Sequence, residues 1–383
     1  MKEKVSIVTC DDYQPERVYQ QVKKGVDLLG GIGAFVSRGE RVLLKPNFLI
    51  GRPPEKCVNT HPELVRAVAQ VVLEAGATPV IGDSPQMGSA LKVAERCGVA
   101  AVARELGIEI VEFEPVEVNY PEGKFFKRFT IGKAVLEADT IINLPKLKTH
   151  GLTFLTAGVK NLFGCVPGAR KAQWHVRTSH EGNEHFSRML LDLSTLINPP
   201  LSIVDCIDAM EGKGPGFGTP RRVGLIIAGT DAVAVDAVVT EVLGTHPEHF
   251  PTLQTALLEG YGTPHIGEIE LLGEEITAVA VDNFIFPPLI RPPSTFRKLF
   301  MNILKGPLTT NPFIDKNECQ QCGNCYKACP LNCIAAGEDG FAINAGECIQ
   351  CLCCMEVCPN GAVDLKDGFL LKLFKRKKQT TTA

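Results

Sequence analysis

Ten of the fifteen cysteines in this 383-residue sequence crowd between positions 319 and 358. Eight of them form two matching runs: Cys319, Cys322, Cys325, Cys329-Pro330 and, 29 residues on, Cys348, Cys351, Cys354, Cys358-Pro359. A 4Fe–4S cube needs one thiolate per iron, and this spacing wraps three ligands around one cube while the fourth serves the other. The spacing therefore predicts two 4Fe–4S clusters. Cys319, Cys322, Cys325 and Cys358 would hold one; Cys348, Cys351, Cys354 and Cys329 would hold the other. C-x2-C pairs also bind zinc, but two successive four-cysteine runs, each closed by proline, favour iron and sulfur. The same repeat aligns Cys333 with Ala362 and Cys353 with Asn324, so these two read as non-ligands. Cys10, Cys57, Cys97, Cys165 and Cys206 are scattered singly and read as core. Clustered thiols behind an N-terminus with no apolar leader suit a reducing cytoplasm better than a disulfide framework.

The stretch 140–180 is the second chemical feature. It contains no Asp or Glu, yet carries Lys146, Lys148, Lys160, Arg170, Lys171 and Arg177, with His150, His175, His180 and the only tryptophan, Trp174. The apolar run before Pro145 reads as a strand, which puts Lys146, Lys148 and His150 in a loop beyond its carboxyl end, where open α/β sheets bind ligands. Residues 156–163 read as a short helix whose first N–H groups could also hold an anion. With no carboxylate in the window to neutralise it, the strip is expected to focus a positive potential. Lys146, Lys148, Lys160 and Lys171, with Asn161, would grip a small anionic substrate, and His150 or His175 would move a proton.

Asp205, Asp208 and Glu211 follow another strand and precede four glycines between 212 and 218; they could hold a divalent ion or accept protons. Lys45-Pro46-Asn47, Asp83-Ser84-Pro85, and Asp231 with Asp236 stand at further strand ends and read mainly as turns and caps. No GxxxxGK[ST] occurs, and Gly31-Ile32-Gly33 follows a helix instead of a strand, so neither a Walker loop nor an NAD or FAD motif is present. A formal net charge of −3 argues against a nucleic-acid binder.

The elements that must position these groups follow from periodicity. VSIVTC, RVLLKP, TPVIGD, IEIVEF, TIINLP, LSIVDC and RVGLIIAG read as buried strands. Helical patterns fall at 16–29, 61–75, 89–97, 231–243 and 252–259, the second announced by a capping box, Thr60-His61-Pro62-Glu63. The stretch 108–133 reads as an antiparallel hairpin. The expected fold is α/β: a mostly parallel sheet with helices on both faces, plus a small C-terminal α+β two-cluster domain. The expected divisions are an α/β domain over 1–286, a proline-rich basic linker over 287–312 with a short helix at 295–304, the cluster domain over 313–366, and a basic tail over 367–383. The tail joins apolar Phe369–Phe374 to Lys375–Lys378 and reads as an end packed on its own protein, not as a membrane contact. No run of 18 apolar residues is present.

Two resemblances extend this reading. LLKPN (43–47), NTHPELVRAV (59–68), GDSP (82–85), PKLKTHGLTFLTAGVKNLFGCVPG (145–168), DAMEGKGPGFG (208–218) and AGTDAVAVDAV (228–238) together resemble domain-of-unknown-function family 362. Residues 317–365 resemble the two-cluster bacterial ferredoxins. The first resemblance implies a fusion to such a ferredoxin unit and a cluster-binding protein, and it supplies no role for any residue of the basic strip. The reading that leads is an iron–sulfur oxidoreductase passing electrons between the ferredoxin-type module, a redox protein partner and a small anionic substrate. One alternative is an electron-transfer adaptor whose strip docks an acidic partner. The other is a proton-transfer enzyme, isomerase-like, with structural or redox-sensing clusters.

Overall fold

The apolar runs pair into one ten-stranded sheet. The computed structural model describes residues 2–168, 170–179, 183–287, 310–337 and 340–367. In chain order the strands are β1 (Glu3–Thr9), β2 (Arg41–Pro46), β3 (Thr78–Gly82), β4 (Glu109–Val111), β5 (Pro115–Asn119), β6 (Arg128–Gly132), β7 (Thr140–Leu144), β8 (Lys146–His150), β9 (Phe154–Thr156), β10 (Leu201–Glu211), β11 (Thr219–Gly229) and β12 (Ile269–Gly273). The main sheet runs β12-β1-β11-β10-β7-β2-β3-β4, with β8 branching from β10 and β9 pairing β8. Pairing is parallel from β10 through β4, and β11 runs antiparallel to both its neighbours. Helices cover both faces, so β2, β7 and β10 are buried almost throughout and read as unbroken apolar runs. The helices Pro15–Leu28, Pro62–Glu74, Ala90–Cys97, Ala232–Val242 and Pro251–Glu259 stand where periodicity puts them. Their apolar stripes meet the sheet in a core that joins Val22 and Val26 with Val65, Val68, Leu44, Ile142 and Ile203. β5 and β6 form the expected separate antiparallel hairpin.

Two local expectations change. The helix beginning at Pro62 is capped by His61, whose Nδ1 accepts the Glu63 N–H at 3.2 Å, and not by Thr60. The Thr60 hydroxyl instead donates to the Leu144 carbonyl and accepts the Asn47 N–H. The segment after Pro145 is a strand, not a loop. β2 ends at Pro46, so past Pro145 the chain has lost one neighbour but still pairs β10 through Asp205 opposite Lys146.

The chain divides into two compact units, Met1–Lys171 with Phe186–Pro288 and Ala172–His185 with Leu289–Ala383. In the second unit an antiparallel pair, β13 (Thr310–Ile314) with β16 (Val363–Asp367), accompanies a hairpin, β14 (Ile334–Gly337) with β15 (Gly340–Ile343), and short helices at Asn324–Ala328 and Cys353–Val357. Each cysteine run thus feeds one short helix and then one strand. Most of the proline-rich stretch, its helix expected at 295–304, and the tail from 368 lie outside the described residues.

Candidate functional site

At the carboxyl end of β2 the buried Lys45 donates to Asp83, which follows β3, at 3.0 Å. Asp83 also accepts the Phe48 and Ser84 N–H groups, so its three bonds fix both strand ends. Gly164 lies against this pair: a Cβ there would stand 2.0 Å from Asp83 Oδ1 and 2.5 Å from Lys45 Nζ. Gly164→Ala should force the pair apart at a cost of ~1–3 kcal/mol, seen as a lower urea midpoint with an unchanged slope. The same segment brings Lys171, whose amine donates to the Ser84 carbonyl. Burial lowers the Lys171 pKa to about 7; Asp83 opposes the shift, and Lys45 and Lys160 add to it. Its place in the first turn of the Arg170–Ser179 helix also disfavours a cation.

A second buried pair stands on β8 and β10. Lys146 donates to Asp205 at 2.8 Å and to the Tyr13 hydroxyl at 2.9 Å, and that hydroxyl donates to the other Asp205 oxygen at 2.7 Å. The His61 N–H reaches Asp205 at 2.9 Å, and its ring stacks on Tyr13 with centroids 3.5 Å apart. Burial pushes the Asp205 carboxyl up, but Lys146 and His61 outweigh it and hold it below the ordinary value. Burial lowers His61 to about 4, so it is neutral at neutral pH. Burial, with Asp205 alongside, raises Tyr13 well above the usual phenol.

Between the two pairs runs a chain of amides. Lys148 donates to Asn47 and to the Val58 carbonyl. Asn47 donates to Asn161 at 3.1 Å; Asn161 donates to Asn143 at 2.8 Å; Asn143 donates to Ser202 and the Gly158 carbonyl. Asn161 also donates to the Lys45 carbonyl at 3.2 Å, and the Thr156 hydroxyl reaches the Lys146 and Lys148 carbonyls, so the amide chain is joined to both pairs through their backbone, and Lys171 joins at the Ser84 carbonyl.

Several expectations are corrected by this geometry. The strip is not an uncompensated positive surface: Lys146 and Lys148 are buried, and Asp205 supplies the counter-charge of Lys146 from another strand. The first N–H groups of the Gly158–Asn161 helix are already taken by the buried carboxyl of Asp236, whose pKa burial raises to about 8. Asp205, Asp208 and Glu211 do not converge as a divalent-ion site. A bulge between Cys206 and Asp208 breaks the strand alternation; Asp205 pairs Lys146, Asp208 pairs Arg222 at 2.8 Å, and Glu211 accepts the Ile285 N–H at 3.0 Å. Lys160 Nζ lies 4.8 Å from the centroid of the Phe163 ring. His150 is buried, and its Nδ1 accepts the Leu152 and Thr153 N–H groups at the β8–β9 turn. His175 and Trp174 fall in the second compact unit. Cys165 is buried, which pushes its thiol up to about 12, an inert value. Sequence reasoning missed Tyr13 and His61 and took Lys45, Asp83 and Asp236 for ordinary turns and caps.

In the second unit the cysteines gather in two groups. Cys329, Cys348, Cys351 and Cys354 line one pocket together with Cys333, Ile334, Ile343 and Leu352. Cys319, Cys322, Cys325 and Cys358 line another with Ile314, Phe341 and Val363. Among the described residues no three His, Cys, Asp or Glu side chains close on a point where one metal ion would sit. A cube differs from a single ion in this respect, because its four thiolates each bind a different iron. Cysteine groups set in apolar walls are the kind of lining a 4Fe–4S cube requires.

Residues 42–241 match the family described as domain of unknown function (DUF362), and residues 311–359 match a 4Fe-4S dicluster domain. A thylakoid-associated protein of Synechocystis is 40% identical over 319 residues, 80% of this chain and 98% of that one. The chain belongs to the DUF362 family. The apoprotein of a lactate racemase from Thermoanaerobacterium thermosaccharolyticum aligns over 52% of this DUF362 chain and 50% of its own, with a TM-score of 0.35 and 13% identity. A likeness at that level carries no inference about chemistry. The cytoplasmic setting expected from the sequence does not stand, because a relative matched along nearly its whole length is named for its association with thylakoids. Among the described residues of this DUF362 chain no helix is long and apolar enough to cross a membrane.

Proposed function

We propose that this DUF362 protein is a cluster-bearing enzyme that transfers a proton on a small anionic molecule at the strand ends of its α/β unit, with Lys171 as the base. The observation that carries the reading is the buried Lys171 amine, held near neutral pKa beside the Lys45–Asp83 pair. An amine that sheds its proton near the working pH is the kind of group general base catalysis requires. With Lys171 neutral as the base, the buried lysines Lys45, Lys146 and Lys148 still outnumber the buried carboxylates Asp83 and Asp205, so the network complements a small anion. Buried ion pairs are costly and seldom add net stability over apolar residues, and their gathering at strand ends supports a functional origin. In this reading Lys146 and Lys148 orient the anion, and the Tyr13–Asp205–His61 group fixes Lys146. His150, whose Nδ1 accepts two N–H groups of its own turn, is given no proton-moving role in this reading.

The Cys319/Cys322/Cys325/Cys358 and Cys348/Cys351/Cys354/Cys329 quartets would hold two 4Fe–4S clusters, which supply one-electron transfer when bound. That pairing of sites favours the oxidoreductase as the second reading. The adaptor reading is the less favoured, since docking an acidic partner needs exposed cations and Lys146, Lys148 and Lys171 of the strip are buried. The thylakoid-associated relative extends the proposal to a membrane-associated setting.

Anaerobic protein incubated in D2O with a panel of small carboxylates and hydroxy acids provides the test. Wild-type protein is expected to wash deuterium into a C–H position of at least one compound, seen by proton NMR. Lys171→Met should slow that exchange by about 100-fold or more, with iron content unchanged. Normal exchange in Lys171→Met would remove the base assignment. No exchange with any compound, combined with reoxidation of the reduced module by one of them, would put the oxidoreductase in its place.

A further inference from the structure

The cysteine module is built twice from one pattern, but its two halves differ in sulfur content. Four residues after the fourth cysteine of each run stands Cys333 in the first half and Ala362 in the second. Each side chain lines a quartet's cavity: Cys333 that of Cys329, Cys348, Cys351 and Cys354, and Ala362 that of Cys319, Cys322, Cys325 and Cys358. Cys333 Sγ lies 3.4 Å from Cys329 Sγ and is hydrogen-bonded to Cys348 as well. The second departure from the repeat is Cys353, which replaces Asn324 and hydrogen-bonds Cys351. Both extra thiols are buried, and both touch members of the same quartet.

A cysteine that binds iron is a thiolate and has no proton to give. In each of these contacts the proton must therefore come from the extra cysteine. Hydrogen bonds to a cluster's sulfurs are among the levers that set its potential, and donors favour the reduced, more negative state. We propose that Cys333 and Cys353 are thiol donors to the quartet Cys329, Cys348, Cys351 and Cys354, and that they make its cluster the more easily reduced of the two. They are positioning residues, not ligands. At the equivalent position Ala362 has only its backbone N–H, which donates to Cys358 Sγ at 3.2 Å, and its methyl adds no side-chain donor to the other quartet. An electron entering the module comes to rest on the Cys348 side.

The inference rests on the two-cluster reading above, and the experiment separates the two. The full chain, wild type, Cys333→Ala, Cys333→Ser, Cys353→Ala and the double alanine variant, is reconstituted anaerobically and assayed for iron. Each protein is then poised at stepped potentials with mediators and followed by EPR. Wild type should hold about eight irons and reduce in two resolved steps. Each alanine variant should keep its iron while the higher step moves to more negative potential. The double variant should bring the two steps together, and Cys333→Ser, which retains an O–H donor, should stay near wild type. Unmoved potentials in both alanine variants would overturn the proposal. Loss of about four irons from Cys333→Ala would overturn it too, by making Cys333 a ligand. A wild-type chain that takes up no iron would bring down the cluster reading itself.

Discussion

Asp205→Asn is expected to destabilise the α/β unit by about 3–5 kcal/mol, because it leaves the Lys146 ammonium buried without its counter-charge. The substitution keeps the shape and one acceptor oxygen, so the loss reports charge rather than packing. Of its two hydrogen bonds Lys146 would keep the one to the Tyr13 hydroxyl and lose the charged acceptor of the other, as would the His61 N–H. Removing both charges, as Lys146→Met with Asp205→Leu, should recover most of the loss, since a well-packed apolar pair often equals a buried ion pair. The non-additivity of that cycle measures the coupling. The acid limb gives an independent reading. The folded Asp205 pKa is depressed, so its contribution is present above the ordinary carboxylate pKa and is lost as pH falls through the folded value. Wild type should therefore lose stability on acidification more steeply than Asp205→Asn, measured as urea midpoints across that range. Equal slopes and a small loss in the single variant would mean that the pair is not maintained in solution.

What the sequence made legible was whatever depends on neighbours along the chain. The cluster ligands sit within two short runs, and their 29-residue repeat settles the register without any knowledge of the fold. Strands β2, β7 and β10 declared themselves because burial on both faces requires continuous Val, Ile and Leu. The polar network was hidden because its partners are distant. Lys45 and Asp83 are 38 positions apart, Lys146 and Asp205 59, Tyr13 and Asp205 192. A window holding six basic residues and no acid cannot display carboxylates that arrive from other strands. Three-dimensional closure turned an apparent exposed basic strip into buried, partly neutralised lysines. The Pro145 break was misread for a related reason. Proline ends one pairing, with β2, but the other edge of the strand stays bonded to β10, and only the sheet order reveals that.

Lys171→Met should make the protein more stable at neutral pH and leave it without proton-transfer activity. The folded pKa of Lys171 is lowered from 10.5 to about 7, chiefly by burial. For an amine this means that folding favours the neutral form. Its unfavourable contribution is absent above the unfolded pKa, grows as pH falls from 10.5 toward about 7, and is constant below that. Each unit of pH in that window changes stability by up to ~1.4 kcal/mol. Methionine matches the length of the stem, fills the same volume and has no proton to exchange, so the variant should lack this slope. At pH 7 it should exceed wild type by about 1–4 kcal/mol, the range found when buried charges give way to apolar groups. Lys171→Arg should do the opposite, because a guanidinium cannot shed its charge and must be buried as a cation. The decisive measurement is the urea midpoint of the three proteins between pH 6 and pH 10.5, set beside their deuterium exchange. A methionine variant that is stabilised yet inactive would mark Lys171 as a residue retained at the expense of stability, as a catalytic base must be. A methionine variant less stable than wild type at pH 7, with the same pH slope, would show that Lys171 is a paired ammonium in the native protein, and the base would then have to be sought elsewhere in the network.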